Sequence, residues 1–366
     1  MPDTIHIIEP TLMNQTGHCY SFIASFCRAS NGVPLCIWAN RNADAAFAEA
    51  NVQVKRHFHS KLRRFQGYGL YKRLLKAPGK ILVSTAGITD LALMEWAAQG
   101  KVPQGKVYFY FHWVNASTKK RNYLAKLARK QPNFVILGPT PSVIDVFKEA
   151  GFANALIVPY PISGPIQNDR ADNGWTGHDH FTGLLYAGAA RQDKGISHVV
   201  DLVEHMSKLK LQIPFKLQNS PDHRGKYDDA TKTDIDRLEK ITYPCLQLFP
   251  ETLSADEYAN LYAGAICVQL YNTADFSDRI SGVTLDALSA GSPIVTTAGT
   301  WIARIVQRFD AGLVIDSAEP EQALLAIQKI IADYPRYNEN AYKAGLALQQ
   351  ENSADFLFKT VAAQVQ

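Results

Sequence analysis

Short apolar runs, each closed by Gly, Pro or Asn, recur along the whole chain with helical spacings between them. In the first half they fall at residues 5–8, 35–38, 81–84, 107–112, 134–137 and 156–158. In the second half they fall at 184–187, 215–217, 246–249, 265–270, 293–296 and 313–315. Between the later runs, apolar residues return every three or four positions, which predicts helices over 197–208, 229–240, 255–263, 283–290 and 320–334. Near the start, Asn14-Gln15-Thr16-Gly17-His18 reads as a loop that leads into a helix through Phe22, Ile23 and Phe26. Apolar strands alternating with helices imply parallel sheets with crossover connections. The alternation pauses once, at the polar, turn-rich stretch Ser163-Gly164-Pro165-Ile166-Gln167-Asn168-Asp169-Arg170-Ala171-Asp172-Asn173-Gly174, which reads as an interdomain linker. The chain is therefore α/β, with one Rossmann-like domain over 1–165, a second over 175–340, and a helical tail over 341–366 that no strand follows. Two such domains place a ligand in the cleft between them, near the carboxyl ends of the strands.

Composition narrows the class. A chain of 366 residues that is 46% hydrophobic and 20% charged suits two globular domains, each with its own core. It has no apolar run of membrane-spanning length, and Met1-Pro2-Asp3-Thr4 does not open a basic and then apolar signal segment, so a cytoplasmic protein is expected. Cys19, Cys27, Cys36, Cys245 and Cys267 are odd in number and lack metal-ligand spacing, which predicts reduced, mostly buried thiols.

The net charge of +4 is unevenly spread. No acid lies between Glu49 and Asp90, while Lys55, Arg56, Lys61, Arg63, Arg64, Lys72, Arg73, Lys76 and Lys80 do. Phe58, Leu62, Phe65, Tyr68, Leu70, Tyr71, Leu74 and Leu75 are interleaved with them. Cations mixed with aromatic and aliphatic side chains suit an anionic membrane surface or a phosphorylated acceptor, so residues 55–76 are the expected place of peripheral membrane contact. Gly67 and Gly69 weaken one long helix there. No nucleic-acid motif accompanies the charge, and nucleic acid is not an expected partner.

The chemistry concentrates in Asp278-Arg279-Ile280-Ser281-Gly282-Val283-Thr284-Leu285-Asp286-Ala287-Leu288-Ser289-Ala290-Gly291-Ser292-Pro293. Ser281 and Gly282 can cap a helix that begins near Val283, Gly291 can end it in a left-handed turn, and Pro293 opens the next strand. The unpaired N–H groups of Gly282, Val283 and Thr284, at the positive end of the helix dipole, suit a phosphate. Asp286 stands a turn into the helix and Asp278 eight residues earlier, one carboxylate beyond each end of a diphosphate held there. A nucleotide-sugar site needs that layout, with one acid for ribose hydroxyls and one for the sugar.

In these residues the chain resembles the retaining GT-B glycosyltransferases of glycosyltransferase family 4, whose signature is Glu-x7-Glu followed by Ala-x-x-x-Gly-x-Pro and a strand. Asp278 and Asp286 stand at the two Glu positions, and Arg279-Ile280 replaces the usual Gly-Phe. A second element agrees: Gly188-Ala189-Ala190-Arg191-Gln192-Asp193-Lys194-Gly195 resembles the family's Gly-Arg-Leu-x-x-x-Lys-Gly. Ala189 replaces the usual Arg, and Arg191 can supply that charge from the same loop. Less specifically, Glu251 and Thr252 resemble residues beside the nucleotide base, Gly17 and His18 the glycine-rich acceptor loop, and His112 a histidine near the donor sugar.

The resemblance implies a GT-B fold, two Rossmann-like domains facing each other across a cleft, with a C-terminal helix returning to the N-terminal domain. It implies a transferase that moves a sugar from a nucleoside diphosphate donor to a glycan or lipid-linked acceptor with retention of configuration, as in bacterial surface polysaccharide assembly. Implied donor contacts are Gly188, Arg191, Lys194, Ser281, Gly282, Val283, Thr284 and Asp286, with Asp278 and His112 at the reacting sugar and Gly17 and His18 on the acceptor side. Cations take the place of a divalent metal beside the leaving diphosphate, so neither metal nor cofactor is expected. The rival reading is a non-catalytic sugar-nucleotide-binding or regulatory protein on a degenerate GT-B fold, to which the departures from the motif would belong. The sequence carries no dinucleotide-binding Gly-x-Gly-x-x-Gly after its first strand, no phosphate-loop motif, no Gly-x-Ser-x-Gly elbow and no zinc spacing.

Overall fold

The computed structural model describes residues 4–15, 17–114, 116–161, 180–219, 227–251 and 253–363. The chain divides into two compact units, residues 1–163 with 351–366, and residues 164–350. The stretch read as a linker and Thr252 lie outside the described residues.

The first unit is built from β1 (Ile5–Ile8), α1 (Gly17–Arg28), β2 (Leu35–Asn40), β3 (Val52–Phe58), α2 (Arg63–Lys76), β4 (Lys80–Val83), α3 (Ile88–Ala98), β5 (Val107–Tyr110), α4 (Thr118–Lys130), β6 (Val135–Gly138), α5 (Pro141–Glu149) and β7 (Asn154–Ile157). Its strands pair in parallel in the order β3-β2-β1-β4-β5-β6-β7. Strands β2, β5 and β6 are buried along their whole length. Helices cover both faces of such a strand, so it has no polar side to present and reads as an unbroken apolar run.

Edge strand β3 does the opposite and leaves Gln53, Lys55 and Arg56 in solvent. Charge on an edge discourages pairing with another chain. That burial pattern revises the reading of residues 55–76 as one segment. The basic stretch is split between β3 and α2, and α2 runs through Gly67 and Gly69 because Leu70, Tyr71 and Leu74 are buried in the core while a side chain at Gly67 would touch Leu93 at 3.9 Å. Packing overrides the weak helical preference of glycine there.

The second unit contains β8 (Gly183–Tyr186), α6 (Ile196–Lys208), β9 (Phe215–Gln218), α7 (Asp229–Lys240), β10 (Leu246–Phe249), α8 (Ala255–Leu261), β11 (Ala265–Gln269), the single turn α9 (Thr273–Phe276), α10 (Gly282–Ser289), β12 (Ile294–Thr297), α11 (Trp301–Phe309), β13 (Gly312–Ile315), α12 (Pro320–Ala332) and α13 (Tyr334–Glu351). Its sheet is again parallel, in the order β10-β9-β8-β11-β12-β13. Helix α11 fills a stretch in which the sequence reading passes directly from strand to strand. Thr300 caps it, accepting from Ala303 N at 3.0 Å, and Ile302, Ala303, Ile305 and Val306 form its buried face.

The last element, α14 (Ala354–Ala362), returns to the first unit. Leu357, Phe358 and Val361 join the core on the α1 side of the first sheet; Phe358 packs edge-on against Phe26 at 5.5 Å, and Lys80 Nζ donates to Val361 O at 2.8 Å. The units part at residue 350 rather than 340. One face of α13 explains the difference: Tyr334 and Tyr337 belong to the core of the second unit, and the α-carbon of Gly345 rests so close to α10 that a side chain there would meet Leu288 O at 2.5 Å. No helix among the described residues is long and apolar enough to cross a membrane. In each sheet the strand order reverses once, between β1 and β4 and between β8 and β11, and at such a point the outgoing loops diverge beyond the carboxyl ends of the strands.

Candidate functional site

At the reversal in the second sheet, β8 runs into residues 187–191, then a 3-10 turn at Gln192–Lys194, then α6. Two glycines shape this loop. Gly195 has φ +70°, and a side chain there would strike Leu270 O at 1.9 Å, so only glycine lets the loop sit on the end of β11. Gly188 has φ +89°, and a Cβ would lie 2.8 Å from Lys194 Nζ and 3.0 Å from Val283 Cγ2. The absence of that atom brings the lysine and the start of α10 to the same place. Asn272 N donates to Asp193 O at 3.1 Å and fastens the loop to the segment after β11.

Cations gather on this loop. Asp193 accepts from Arg191 at 2.8 Å and from Arg279 at 3.2 Å, so one carboxylate holds two guanidinium groups. Arg279 also covers the Phe276 ring at 4.7 Å. Lys194 Nζ lies 5.7 Å from the centroid of the Tyr271 ring. Burial first, and the charge of Arg191 next, pull the Lys194 ammonium down to about 8.

Helix α10 begins at Gly282, with Ser281 as its cap accepting from Thr284 N at 3.4 Å. Gly282 is exposed, and a side chain there would meet nothing within 4 Å, so the amino end of the helix opens onto free space. The N–H groups of Gly282 and Val283 have no partner within the helix ladder, whereas that of Thr284, expected to be unpaired, is taken by Ser281, whose backbone O lies 3.1 Å away. Val283 and Thr284 are buried beneath, where Thr284 Oγ1 donates to Gln269 Oε1 at 2.6 Å. Asp286, one turn on, accepts from Tyr258 at 3.2 Å, and Tyr262 donates to Tyr258 at 2.5 Å. The residue is exposed, yet desolvation of its carboxyl by the surrounding protein raises Asp286 to about 6, against the pull of Tyr258 and Lys194. Asp278 accepts from Arg304 of α11 at 2.7 Å.

The same end of the sheet carries polar atoms without partners. Arg191 Nε, Asn219 Oδ1, Gln269 Nε2 and Thr296 Oγ1 are buried and make no hydrogen bond among the described residues. Gln269 and Thr296 are register partners in β11 and β12, Asn219 directly follows β9, and Arg191 lies on the loop after β8. A buried polar group left unpaired costs about 1–3 kcal/mol, so a set of them at one edge marks a place where an occupant is expected.

In the first unit the reversal between β1 and β4 holds His112, Glu9, Ser84 and Thr85. His112 Nε2 lies 2.8 Å from Ser84 O and 3.5 Å from Thr85 Oγ1, and the ring packs among Phe22, Tyr110 and Tyr160 at 5.2–5.3 Å between centroids. Gly17 and His18, expected on a loop, form the first turn of α1 instead, one turn before the Phe22 that touches His112. No group of three or more His, Cys, Asp or Glu able to hold a metal ion occurs among the described residues.

No family model matches the chain, and no curated protein matches it. Solved structures do. HepE from Anabaena, in complex with UDP and glucose, is 15% identical with a TM-score of 0.67, covering 98% of both chains. WaaG, a glycosyltransferase involved in lipopolysaccharide biosynthesis, is 12% identical with a TM-score of 0.65, over 98% of this chain and 100% of that one. Sucrose-phosphate synthase from Thermosynechococcus elongatus is 14% identical with a TM-score of 0.67, over 98% and 96%. The fold is GT-B.

On this GT-B chain, Gly188, Arg191, Lys194, Ser281, Gly282, Val283, Thr284 and Asp286 come together at the end of the second sheet. Asp278 lies on the loop into α10 and is held by Arg304. His112, Gly17 and His18 belong to the first unit. Sequence reasoning misses Arg279, which joins Arg191 only through the shared partner Asp193, and Glu9, a lone acid after a strand whose importance appears only in its four donors. Tyr258 is missed as well: nothing in its spacing ties it to Asp286, 28 residues on.

Proposed function

We propose that the protein is a nucleotide-sugar-dependent glycosyltransferase. The observation that carries this reading is the convergence of the open amino end of α10 with Arg191, Lys194 and Arg279 beside unpartnered buried polar atoms, at the strand reversal of the second unit. A diphosphate fits such a place: backbone N–H groups and the helix dipole face its oxygens, and the cations balance its charge. Asp286 then receives the donor ribose hydroxyls and Asp278 a hydroxyl of the sugar. HepE binds UDP and glucose, so a uridine donor is the first to test.

In the proposed reaction the bond between the anomeric carbon and the diphosphate oxygen breaks as the acceptor hydroxyl attacks the same face. Negative charge grows on the leaving oxygen, where Arg191, Lys194, Arg279 and the α10 amides stabilise it without a metal. That oxygen accepts the acceptor proton, so configuration is retained without a protein nucleophile. His112 is the proposed residue at the reacting sugar, and Gly17 and His18 are the proposed acceptor-side residues. The acceptor is a glycan or a lipid-linked saccharide, as in bacterial surface polysaccharide assembly. Leu62 (53% exposed) and Phe65 (79% exposed), flanked by Lys61, Arg63 and Arg64, are the proposed peripheral contact with an anionic membrane on its cytoplasmic side.

Melting curves with UDP, GDP, ADP and TDP test the donor assignment, since a ligand that binds only the folded chain raises the melting temperature. A shift with one nucleotide that Lys194→Ala abolishes supports it; no shift with any of them overturns it. The pairing of Asp278 with Arg304 favours the second reading, a binding protein without transfer. Nucleotide release from a bound nucleotide-sugar separates the two.

A further inference from the structure

Glu9 follows β1 and is fully buried, yet no cation approaches it within ion-pairing distance among the described residues. Four neutral donors serve its carboxylate instead. Thr11 N (3.2 Å) and Thr11 Oγ1 donate to Oε1, while Thr85 Oγ1 (2.5 Å) and Ser84 Oγ (2.9 Å, its one proton shared with Ile8 O at 3.1 Å) donate to Oε2. Each oxygen receives two, the full complement that a carboxylate accepts. The donors come from the loops after β1 and after β4, the two strands at which the sheet order reverses, so Glu9 fastens both loops at one point.

This arrangement has a direction. Thr85 spends its hydroxyl proton on Glu9, so its oxygen can only accept from the other side, where His112 Nε2 stands at 3.5 Å. Ser84 O, at 2.8 Å from the same nitrogen, can also only accept. Both neighbours of Nε2 therefore demand a proton on it, and in the neutral ring Nδ1 carries the lone pair. We propose that Glu9 is a positioning residue that acts through Thr85 and Ser84 to set the orientation and the proton-bearing nitrogen of His112. The proposal deepens the glycosyltransferase reading by adding a supporting residue behind one proposed at the reacting sugar, and it rests on that reading for its catalytic meaning.

Replacing Glu9 by Gln reveals the direction of the network. The backbone N–H of Thr11 cannot turn away, whereas the hydroxyls of Ser84 and Thr85 can, so the amide oxygen settles toward Thr11 and the NH2 toward the hydroxyls. Thr85 then loses its acceptor and swings its proton toward His112 Nε2, contesting the proton already there.

Nitrogen-15 spectra of histidine-labelled protein, with the His112 signals assigned from His112→Asn, test this without reference to activity. In the unaltered chain the neutral ring is expected as the Nε2–H tautomer with a slowly exchanging proton. Glu9→Gln is expected to mix the tautomers and speed the exchange; Thr85→Val speeds it, and Thr85→Ser, which keeps the hydroxyl, restores it. If Glu9→Gln does not fold, the two Thr85 variants decide. An Nδ1–H tautomer in the unaltered chain, or tautomer and exchange unchanged across folded variants, overturns the proposal. Sugar transfer by Glu9→Gln is expected to slow roughly tenfold with a steady donor KM, as misplacement of a reacting group does. A chain that transfers no sugar but gives the expected spectra sinks the transferase reading and leaves the positioning role standing.

Discussion

Tyr258 donates a hydrogen bond to Asp286 across 3.2 Å, and Tyr262 donates to Tyr258 in turn, so the carboxylate assigned to the ribose is held by a two-tyrosine chain from α8 and its end. The Asp286 carboxyl is nevertheless raised from 3.8 to about 6, because desolvation outweighs that support. An acid whose folded value lies above its unfolded one binds more protons when folded, so its unfavourable effect on stability is complete above about 6 and gone below 3.8. Asp286→Asn should therefore melt higher than the unaltered chain above about 6, with the advantage fading as pH falls toward 3.8. Melting temperatures of both chains across that window check it, and a difference that does not change with pH would refute the assignment.

Lys194 provides the opposite case. Its ammonium is pulled down to about 8, and the charged form is the one that attracts a diphosphate. Affinity for UDP, measured by titration calorimetry, should fall as pH rises through and beyond about 8, since the bound anion itself favours the proton. Lys194→Ala should weaken binding by about tenfold to a hundredfold, the range of a charge-assisted hydrogen bond.

The two glycines of the donor loop should separate stability from binding. Gly195→Ala drives a Cβ into the Leu270 carbonyl at 1.9 Å, where only backbone can give way. A loss of about 2 kcal/mol or more in urea unfolding is expected from clash and left-handed strain together. Gly188→Ala meets chiefly the movable end of Lys194 at 2.8 Å, so it should cost less stability and more UDP affinity.

Leu62→Ser with Phe65→Ser should leave stability within about 0.5 kcal/mol, as for other exposed sites. Sedimentation with anionic vesicles should drop, and added salt should weaken what remains. Binding that ignores lipid charge and salt removes the membrane assignment.

Phe358 is buried against Phe26, so Phe358→Ala should destabilise the first unit by about 3–5 kcal/mol in denaturant unfolding.

Much of this fold is legible because a buried parallel strand declares itself. Residues 5–8 and 246–249 are read at their observed limits, and so is the helix over 229–240, which Asp228 caps. Strand β3 is missed because Lys55 and Arg56 suit a solvent-facing edge as well as a basic helix, and only the sheet decides between them. Helix α11 has its signal in Thr300 and in the 302-303-305-306 spacing, yet the cations Arg304 and Arg308 interrupt any plain apolar run. The donor loop and α10 are legible since glycines and caps act locally. Arg279 and Glu9 are not, because their meaning lies in partners that only the folded chain brings near: Asp193 in one case, and Thr11, Ser84 and Thr85 in the other.

Because α14 completes the first unit, a core begun by β1 and α1 is sealed only after the second unit has been made. During synthesis Phe26 and its neighbours must wait, uncovered on that side, while the whole second unit is translated, an interval on the order of ten seconds or more. Nascent chains are thus most open to chaperones, or to aggregation, along the α1 flank.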